Sequence, residues 1–157
     1  MTLKFLADDM VGKLARRLRL AGYDTLYFKF IDDGEMVVRA RMENRIIITR
    51  DTKLTDKFHL DNVFVVTSED PARQFKQVVG AFGLDVESRA FSRCLECNEL
   101  LGPVKKEDYE AEIPPRIYQC HNTFFRCPGC QKLYWRGSHF ARLKEILSES
   151  QGKAQGL

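Results

Sequence analysis

Four cysteines occur as two pairs of identical spacing. Cys94 and Cys97 form the first pair and Cys127 and Cys130 the second, with residues 98–126 between them. Two residues between thiolates allow both sulfurs to face one point, and two such pairs complete the tetrahedral ligand set that zinc prefers. Because four protein ligands leave no position for water, we predict a structural zinc without chemistry of its own. Reduced, buried cysteines are the alternative.

Other residues near the cysteines could also contribute. Cys120 and His121 could replace a ligand, although two complete pairs favour packed or surface positions for both. Basic and aromatic residues flank the second pair; they are Arg126, Lys132, Tyr134, Trp135 and Arg136. This combination can bind nucleic acid, and it can equally form a small aromatic core with solvated arginines.

Acidic residues follow the short apolar segments of the N-terminal half. Asp8 and Asp9 follow the first segment, Asp33 and Glu35 lie after the second, and Asp51 follows the third. If the first and third segments are neighbouring parallel strands, Asp8 and Asp51 meet at the sheet edge, and Asp33 or Glu35 can join them. Clustered carboxylates repel unless a cation holds them, and oxygen ligands select Mg²⁺ or Mn²⁺. Such a site can hydrolyse nucleic-acid phosphodiesters.

Each acid also has a purely structural explanation. Helix capping could account for most of them singly, namely Asp8 or Asp9, Asp33 and Asp51. Glu35 could pair with Arg39, four residues further on. Their recurrence after successive strands favours a shared site over separate caps.

Positive charges dominate the segment after Asp9. The cations of this segment are Lys13, Arg16, Arg17 and Arg19, and no acid occurs in residues 10–22. An excess of positive charge beside an anionic metal site suits a polyanion such as RNA, whose phosphates need neutralising. Arg50, next to Asp51, could supply another phosphate contact. A solvated helix face is the alternative.

Strand-like and helix-like segments alternate four times in the first ninety residues. The predicted strands are 3–7, 25–28, 46–49 and 63–66. The predicted helices are 11–18, closed by Gly22, then 33–43, a short one from 51, and 70–82. Regular alternation with nearly all-apolar strands predicts an α/β fold, in which helices cover both faces of a parallel sheet and make three layers.

The periodicity ends near Gly83, and a different unit follows. Gly102-Pro103 and Pro114-Pro115 indicate turns and extended chain. A last helix over about 139–147 should pack through its apolar side chains Leu143, Ile146 and Leu147. We therefore expect a nuclease-like domain over 1–90, a zinc ribbon over 91–138, and a C-terminal helix and tail over 139–157.

Composition narrows the class of protein. The chain has 157 residues, of which 44% are hydrophobic and 30% charged, so it has room for one domain and a small appendage. No apolar run approaches the ~20 residues of a membrane span, and the start lacks the apolar core of a signal peptide, so we expect a cytoplasmic protein. With 25 basic and 22 acidic residues, the net charge of +3 does not by itself predict nucleic-acid binding. All five cysteines follow Phe91, which argues against a disulfide scaffold.

Three blocks, residues 5–24, 45–51 and 127–139, resemble the Mut-seven C-terminal ribonuclease family. That family is similar to PIN-domain nucleases with a zinc ribbon appended, and the resemblance spans nearly the whole chain. It implies a PIN-like fold and metal-dependent cleavage of RNA, single-stranded in our expectation. It places the strand-end aspartates at Asp8 and Asp51 and the acidic helix start at Asp33. The resemblance also implies zinc at the four paired cysteines.

Two positions remain open within this resemblance. Gly34 stands where related chains have an acid, so Asp33 and Glu35 are both candidates for the ligand from the helix. His139, at the end of the third block, could cap or orient the last helix or contact phosphate.

Two other functions compete with the nuclease. Receiver domains place two acids after strand one, a phosphoacceptor aspartate after strand three and a hydroxyl after strand four, a layout matched by Asp8, Asp9, Asp51 and Thr67. They continue to a fifth strand that ends in lysine, for which this chain shows no clear signal. The third possibility is an RNA-binding module without catalysis, which would depend on the helix arginines and the ribbon.

Overall fold

The N-terminal half folds around a parallel sheet. The computed structural model describes residues 2–152, without the side chains of 139, 143 and 150–152. Four strands, β1 (Lys4–Ala7), β2 (Asp24–Tyr27), β3 (Ile46–Thr49) and β4 (Val63–Val65), pair in the order β2-β1-β3-β4. All three pairings are parallel. The predicted strands are confirmed, and β1 and β3 are neighbours, which is the condition on which the expected meeting of Asp8 and Asp51 depended.

Helices cover both faces of this sheet, as expected. They are α1 (Gly12–Leu20), α2 (Asp33–Met42), α3 (Leu54–Phe58) and α4 (Pro71–Phe82). Alternate strand residues point to opposite sides, so Phe5 and Ile48 pack with α1 and α4, whereas Leu6 and Ile47 pack with α2 and α3. The two apolar cores, one on each face, make the predicted three-layer α/β arrangement.

The apolar stripe predicted for α1 is buried as a unit. Its members Val11, Leu14, Ala15 and Leu18 are all at most 1% exposed. The helix ends in a Schellman arrangement, in which the Tyr23 N–H donates to the carbonyl of Leu18 at 3.0 Å.

A second, antiparallel sheet lies next to the cysteine pairs, the first of which precedes it while the second lies in the turn between its last two strands. We call residues 94–135 the cysteine ribbon. Its strands are β5 (Gly102–Val104), β6 (Phe124–Arg126) and β7 (Leu133–Trp135), with β6 in the centre. The interpretation of Pro114-Pro115 as turn or extended chain is wrong for its second residue. Pro115 begins helix α5 (Pro115–Cys120), because a proline at the first helical position loses no hydrogen bond.

The last helix, α6 (Ser138–Gly152), is longer than predicted and packs against the first domain. Leu147 is 5% exposed and belongs to the core that contains α1 and α4. The predicted contact of Leu143 and the tail over 153–157 lie outside the described residues. No helix in the described range is long and apolar enough to cross a membrane.

Hydrogen bonds attach the cysteine ribbon to β2, the edge strand of the parallel sheet. The Thr25 N–H donates to Oδ1 of Asn98 in the ribbon at 2.9 Å. The Thr25 carbonyl accepts from Nε of Arg19, a residue of α1, at 2.8 Å. Asn98 Nδ2 also donates to Asp24 Oδ1, which accepts a second bond from Arg45 Nη1, both at 2.7 Å. Side chains thereby satisfy a strand edge that would otherwise be open to pairing.

We expect Gly22→Ala to destabilise the fold more than Gly83→Ala. Both glycines have positive φ, 89° and 59°, so alanine incurs backbone strain of about 1 kcal/mol or more at each. A Cβ on Gly22 would lie 2.1 Å from the carbonyl oxygen of Arg89, whereas a Cβ on Gly83 would meet nothing within 4 Å. Gly22→Ala should therefore lower the free energy of unfolding by about 1–3 kcal/mol more, measured by urea denaturation. Equal losses would contradict this packing.

Candidate active site

Asp8 lies directly after β1, where the parallel pairing with β3 fixes its surroundings. Its N–H continues the ladder by donating to the Ile48 carbonyl at 3.1 Å. Its Oδ1 accepts the Met10 N–H at 2.9 Å, and its Oδ2 accepts the hydroxyl of Thr49. Asp8 is only 8% exposed, so this carboxylate is held in one orientation at the carboxyl edge of the sheet.

Thr49 connects Asp8 with Asp51. Its Oγ1 donates to Asp8 and accepts the Asp51 N–H at 2.9 Å, and its side chain is fully buried. Thr49 is not among the site residues predicted from the sequence. The available signal was a hydroxyl residue closing a strand of three isoleucines, immediately before the acidic turn.

The electrostatics of Asp8 favour a cation. Burial raises the pKa of Asp8 above its ordinary value of 3.8; hydrogen bonds from Thr49 and Met10 lower it, and the nearby carboxylates of Asp9 and Asp51 raise it again. The net direction is upward, so the ionised form is disfavoured in the folded chain. A bound cation would offset this cost by pairing with the buried charge.

The capping explanations of the acids are confirmed only in part. Asp8 caps a short 3-10 helix (Asp9–Val11). Asp51 Oδ1 accepts the Lys53 N–H at 2.9 Å in a turn before α3. Asp33 is not the cap of α2, because Asp32 takes that role by accepting from Gly34 at 3.0 Å.

Asp33 and Glu35 have different environments. Lys57 Nζ lies 3.3 Å from Asp33 Oδ2 in a half-exposed ion pair. Glu35 is exposed, and its proposed pairing with Arg39 is wrong, because Arg39 Nε bonds instead to Glu43 Oε1 at 2.9 Å. Both acids therefore lie at the start of α2 without a fixed place in a metal site.

The structure joins Asp8 and Asp51 but does not assemble a carboxylate cage. Among the side chains that it describes, only the cysteine cluster brings three or more potential ligand atoms within 4.8 Å of one another. The expected convergence of three or four carboxylates at ligand distance is thus absent from this part of the chain.

A cleft of about 620 Å³ opens beside the aspartate pair. Asp9 and Arg50, the sequence neighbours of Asp8 and Asp51, both line it. Its remaining charged lining side chains are Lys13, Arg16, Arg19, Glu69 and Glu96. The wall thus mixes cations with acids, and its cations Lys13, which is exposed, and Arg50, which is half-buried, can contact the phosphates of a phosphodiester.

The predicted RNA contacts differ in availability. Lys13 is exposed, and Arg50 pairs at 3.1 Å with Glu69, which is 86% exposed. Arg16 Nη1 lies 2.6 Å from Glu96 Oε1. This acid, which is distant in sequence, balances a positive charge on α1, a helix without acids of its own. The remaining predicted contacts, Arg17 and Arg136, line a second groove.

Arg19 cannot belong to the cationic surface proposed for this helix. It is 6% exposed and donates to the carbonyls of Leu95 and Glu96 at 2.9 and 3.1 Å, in addition to Thr25. The guanidinium thus serves to hold the first cysteine pair against the domain.

The four paired cysteines form a second potential metal centre. Their sulfurs all lie within 4.8 Å of one another, with Cys94 and Cys130 at 3.6 Å and Cys97 and Cys127 at 3.1 Å. A tetrahedral zinc with Zn–S bonds of about 2.3 Å would separate its sulfurs by about 3.8 Å. The distances exceed a disulfide bond and are close to those of the zinc geometry, so the cluster can bind zinc.

The two cysteine pairs share one backbone conformation. The N–H of Cys94 donates to Glu99 and that of Cys127 to Lys132, at 2.8 and 2.9 Å. The residue after the second cysteine of each pair has positive φ, 73° at Asn98 and 67° at Gln131. The N–H of that residue donates to the carbonyl of the first cysteine of its pair. These matched turns hold both sulfurs of a pair on one side.

Hydrogen bonds favour a thiolate at Cys94, whereas burial and the neighbouring sulfurs raise the pKa of Cys97 to about 12 and the pKa of Cys130 is also raised, so a bound cation would be needed to hold several thiolates together. Burial raises the pKa of Cys94, but the Tyr134 hydroxyl and the N–H groups of Cys97 and Glu96 outweigh it and lower that pKa to about 7. Cys120 and His121 stand outside the cluster, as expected. Cys120 is exposed and His121 is half-buried.

This architecture defines a class of protein: a three-layer α/β domain with acids at its strand ends, joined to a four-cysteine ribbon. A family model for the Mut7-C RNAse domain matches residues 3–147. The chain belongs to the Mut7-C RNAse domain family, which indicates a ribonuclease-type function with RNA as substrate. No curated protein and no solved structure matches the chain significantly.

Asp8→Asn should stabilise the fold at neutral pH. The raised pKa of Asp8 means that the buried carboxylate costs stability when ionised, whereas an amide carries no charge and still accepts the Met10 N–H. We expect the free energy of unfolding to rise by about 0.5–2 kcal/mol at neutral pH. The difference should shrink as the pH falls through the raised pKa and vanish below 3.8, where the carboxyl is protonated in both the folded and the unfolded state. Denaturation at several pH values checks this; a less stable variant at neutral pH would contradict it.

Removing the metal from the cysteine cluster should destabilise the chain. We expect a strong chelator, or Cys127→Ser, to lower the Tm by at least about 10 °C, because a structural zinc contributes folding energy. Cys120→Ser is the matched control, since this exposed thiol lies outside the cluster. Metal analysis should find zinc in the wild type and the control but less in Cys127→Ser. A Tm insensitive to both treatments would refute the zinc site.

Proposed function

We propose that this chain is a PIN-like, metal-dependent ribonuclease that hydrolyses phosphodiesters of single-stranded RNA at a Mg²⁺ or Mn²⁺ site. The observation that carries the proposal is the buried Asp8, connected through the Thr49 hydroxyl to the backbone N–H of Asp51, beside a cleft lined by both cations and acids. Membership of a ribonuclease family supports assigning this edge of the sheet to cleavage.

The donor set suits a hard divalent cation. Asp8 and Asp51 would hold it, and Asp9, Asp33 or Glu35 would add a carboxylate, so all protein donors are oxygens. When bound, the cation supplies an activated water for in-line attack at phosphorus. Asp33 can be released from Lys57 at little cost, because exposed ion pairs contribute little to stability.

The chain itself supplies orientation and charge. Thr49 and Met10 fix the two oxygens of Asp8, so this ligand needs little reorganisation. Lys13 and Arg50 can neutralise the phosphates that flank the scissile bond. A phosphate can replace Glu69 as the partner of Arg50, since that acid is 86% exposed.

The zinc in this proposal is structural. It would hold the first cysteine pair, whose Leu95 and Glu96 form part of the cleft wall. The same pair is attached to the parallel sheet through Arg19 and Asn98. Zinc would therefore stabilise the cleft without contacting the substrate.

The receiver alternative has no support in the fold. The parallel sheet of the described chain has four strands, and after α4 the backbone enters the cysteine ribbon instead of a fifth strand. Thr67 is bonded to Gln77 of α4 through both its N–H and its Oγ1. A non-catalytic RNA-binding module is distinguished from the nuclease by the following experiment.

Asp51→Asn should reduce RNA cleavage by at least about a hundredfold while leaving the Tm near that of the wild type. Removing a residue that only hydrogen-bonds to a metal ligand typically lowers metal affinity or activity about 10–100-fold. Removing a ligand itself should therefore lower activity by at least the upper end of that range. The assay follows a labelled single-stranded RNA with and without Mg²⁺ or Mn²⁺.

Asp61→Asn is the control for this assay, because Asp61 is exposed at the amino end of β4, on the opposite edge of the sheet. The affinity of the wild type for Mg²⁺ or Mn²⁺ should also fall as the pH is lowered through the raised pKa of Asp8 in the metal-free chain, because protons then compete with the cation for this carboxylate. Equal turnover by Asp51→Asn and the wild type would refute the proposal, and metal-independent binding without cleavage would identify the non-catalytic module.

A further inference from the structure

A second and larger groove, of about 1060 Å³, lies between α1, the cysteine ribbon and α6. It adjoins the cleft at the aspartate pair, because Lys13, Arg16 and Leu95 line both. We call it the basic–aromatic groove. Its carboxylate-free lining separates it from the cleft, whose wall includes Asp9 and Glu69.

The charge of this groove has a single sign. Cations from three helices and from the residue after β7 line it. Examples are Arg17 on α1, Arg116 on α5, Arg142 on α6, and Arg136 directly after β7. None of the described residues that line it is acidic. Glu96, outside the described lining, pairs with Arg16 and Lys132, and the remaining cations still give a concave surface that attracts a polyanion and repels cationic segments.

Arg17 adds an independent sign of an anionic ligand. Its Nη1 atom is buried and has no hydrogen-bond partner among the described residues. Buried polar groups are almost always paired in native proteins, so an unpaired guanidinium nitrogen in a cationic groove indicates an acceptor supplied by a ligand. A phosphate oxygen has the right charge and geometry for it.

Aromatic rings line the same surface. Trp135, Tyr134 and Phe140 contribute to the wall. Phe140 is already packed against Phe91, with ring centroids 3.8 Å apart, and Arg136 lies over it at 5.1 Å, so we assign bases to the other two rings. Rings interleaved with cations can stack bases and neutralise phosphates together, which suits a strand whose bases are unpaired. In a duplex the base faces are already stacked on one another and are unavailable to these rings.

We propose that the basic–aromatic groove holds a single-stranded RNA segment next to the cleavage cleft, with phosphates at Arg17 and Arg116 and bases against Trp135 and Tyr134. The inference rests on the proposed function for the choice of RNA as the polyanion. Binding in the groove requires neither the divalent cation nor the carboxylates.

Trp135 provides a direct readout, because it is the only tryptophan in the chain. The Asp51→Asn chain, which should bind RNA without cutting it, is titrated without added Mg²⁺ with a single strand of about twelve nucleotides. We expect base stacking to quench Trp135 fluorescence, and we expect a duplex of the same length, heparin and polyglutamate to quench it weakly. Equal quenching by the duplex, or competition by polyglutamate as strong as that by RNA, would overturn the proposal.

Charge reversal tests the location. Arg116→Glu combined with Arg136→Glu should weaken binding at least about tenfold and reduce the slope of log affinity against log salt by about two. Arg41→Glu is the control, since Arg41 is an exposed arginine on α2, the helix that covers the other face of the sheet. Affinity unchanged by the double reversal would overturn the assignment.

This inference and the proposed function can fail separately. If the wild type cleaves RNA but the double reversal leaves KM unchanged, the groove assignment fails and the nuclease stands. If Trp135 is quenched by single strands but no metal supports cleavage, the groove stands and the nuclease fails. For a nuclease that uses the groove, the double reversal should raise KM at least about tenfold with little change in kcat.

Discussion

The buried carboxylate of Asp8 is the constraint on which the candidate site depends. Parallel pairing of β1 with β3 places Asp8 beside Thr49, whose hydroxyl bonds to Asp8 and accepts the N–H of Asp51. Burial disfavours the charge of Asp8, and the nearby acids add to that cost. A fold that retains such a residue sacrifices stability at this position, a trade that is characteristic of functional sites.

The cysteine ribbon is structurally continuous with the domain that carries Asp8. Asn98 and Arg19 satisfy the N–H and the carbonyl of Thr25 on the edge strand β2. Arg19 also donates to the carbonyls of Leu95 and Glu96, which lie between the two cysteines of the first pair. This pair contributes Glu96 to the cleft wall. Zinc bound at the four cysteines would therefore act on the shape of the cleft through direct hydrogen bonds.

Two neighbouring surfaces have the properties expected for the two tasks of a nuclease, which are cleaving a phosphodiester and holding the strand. The cleft combines carboxylates with a few cations, which suits chemistry at one phosphodiester. The basic–aromatic groove has cations and rings without carboxylates, which suits holding a strand. Arg16 borders both and is paired with Glu96, so it stands at their junction.

Periodicity and spacing by themselves determined the strands, the helices, the three-layer sheet and the grouping of four cysteines, because apolar alternation and paired thiolates are local patterns. They placed Asp8 near Asp51 only on the condition that the first and third strands are neighbours, and the tertiary structure established that condition. Only the tertiary structure decided that Thr49 joins them, that Asp32 instead of Asp33 caps α2, and that Arg19 is buried under the ribbon. The reason is that these roles depend on partners distant in sequence or on side-chain competition for one backbone group, neither of which a local pattern encodes.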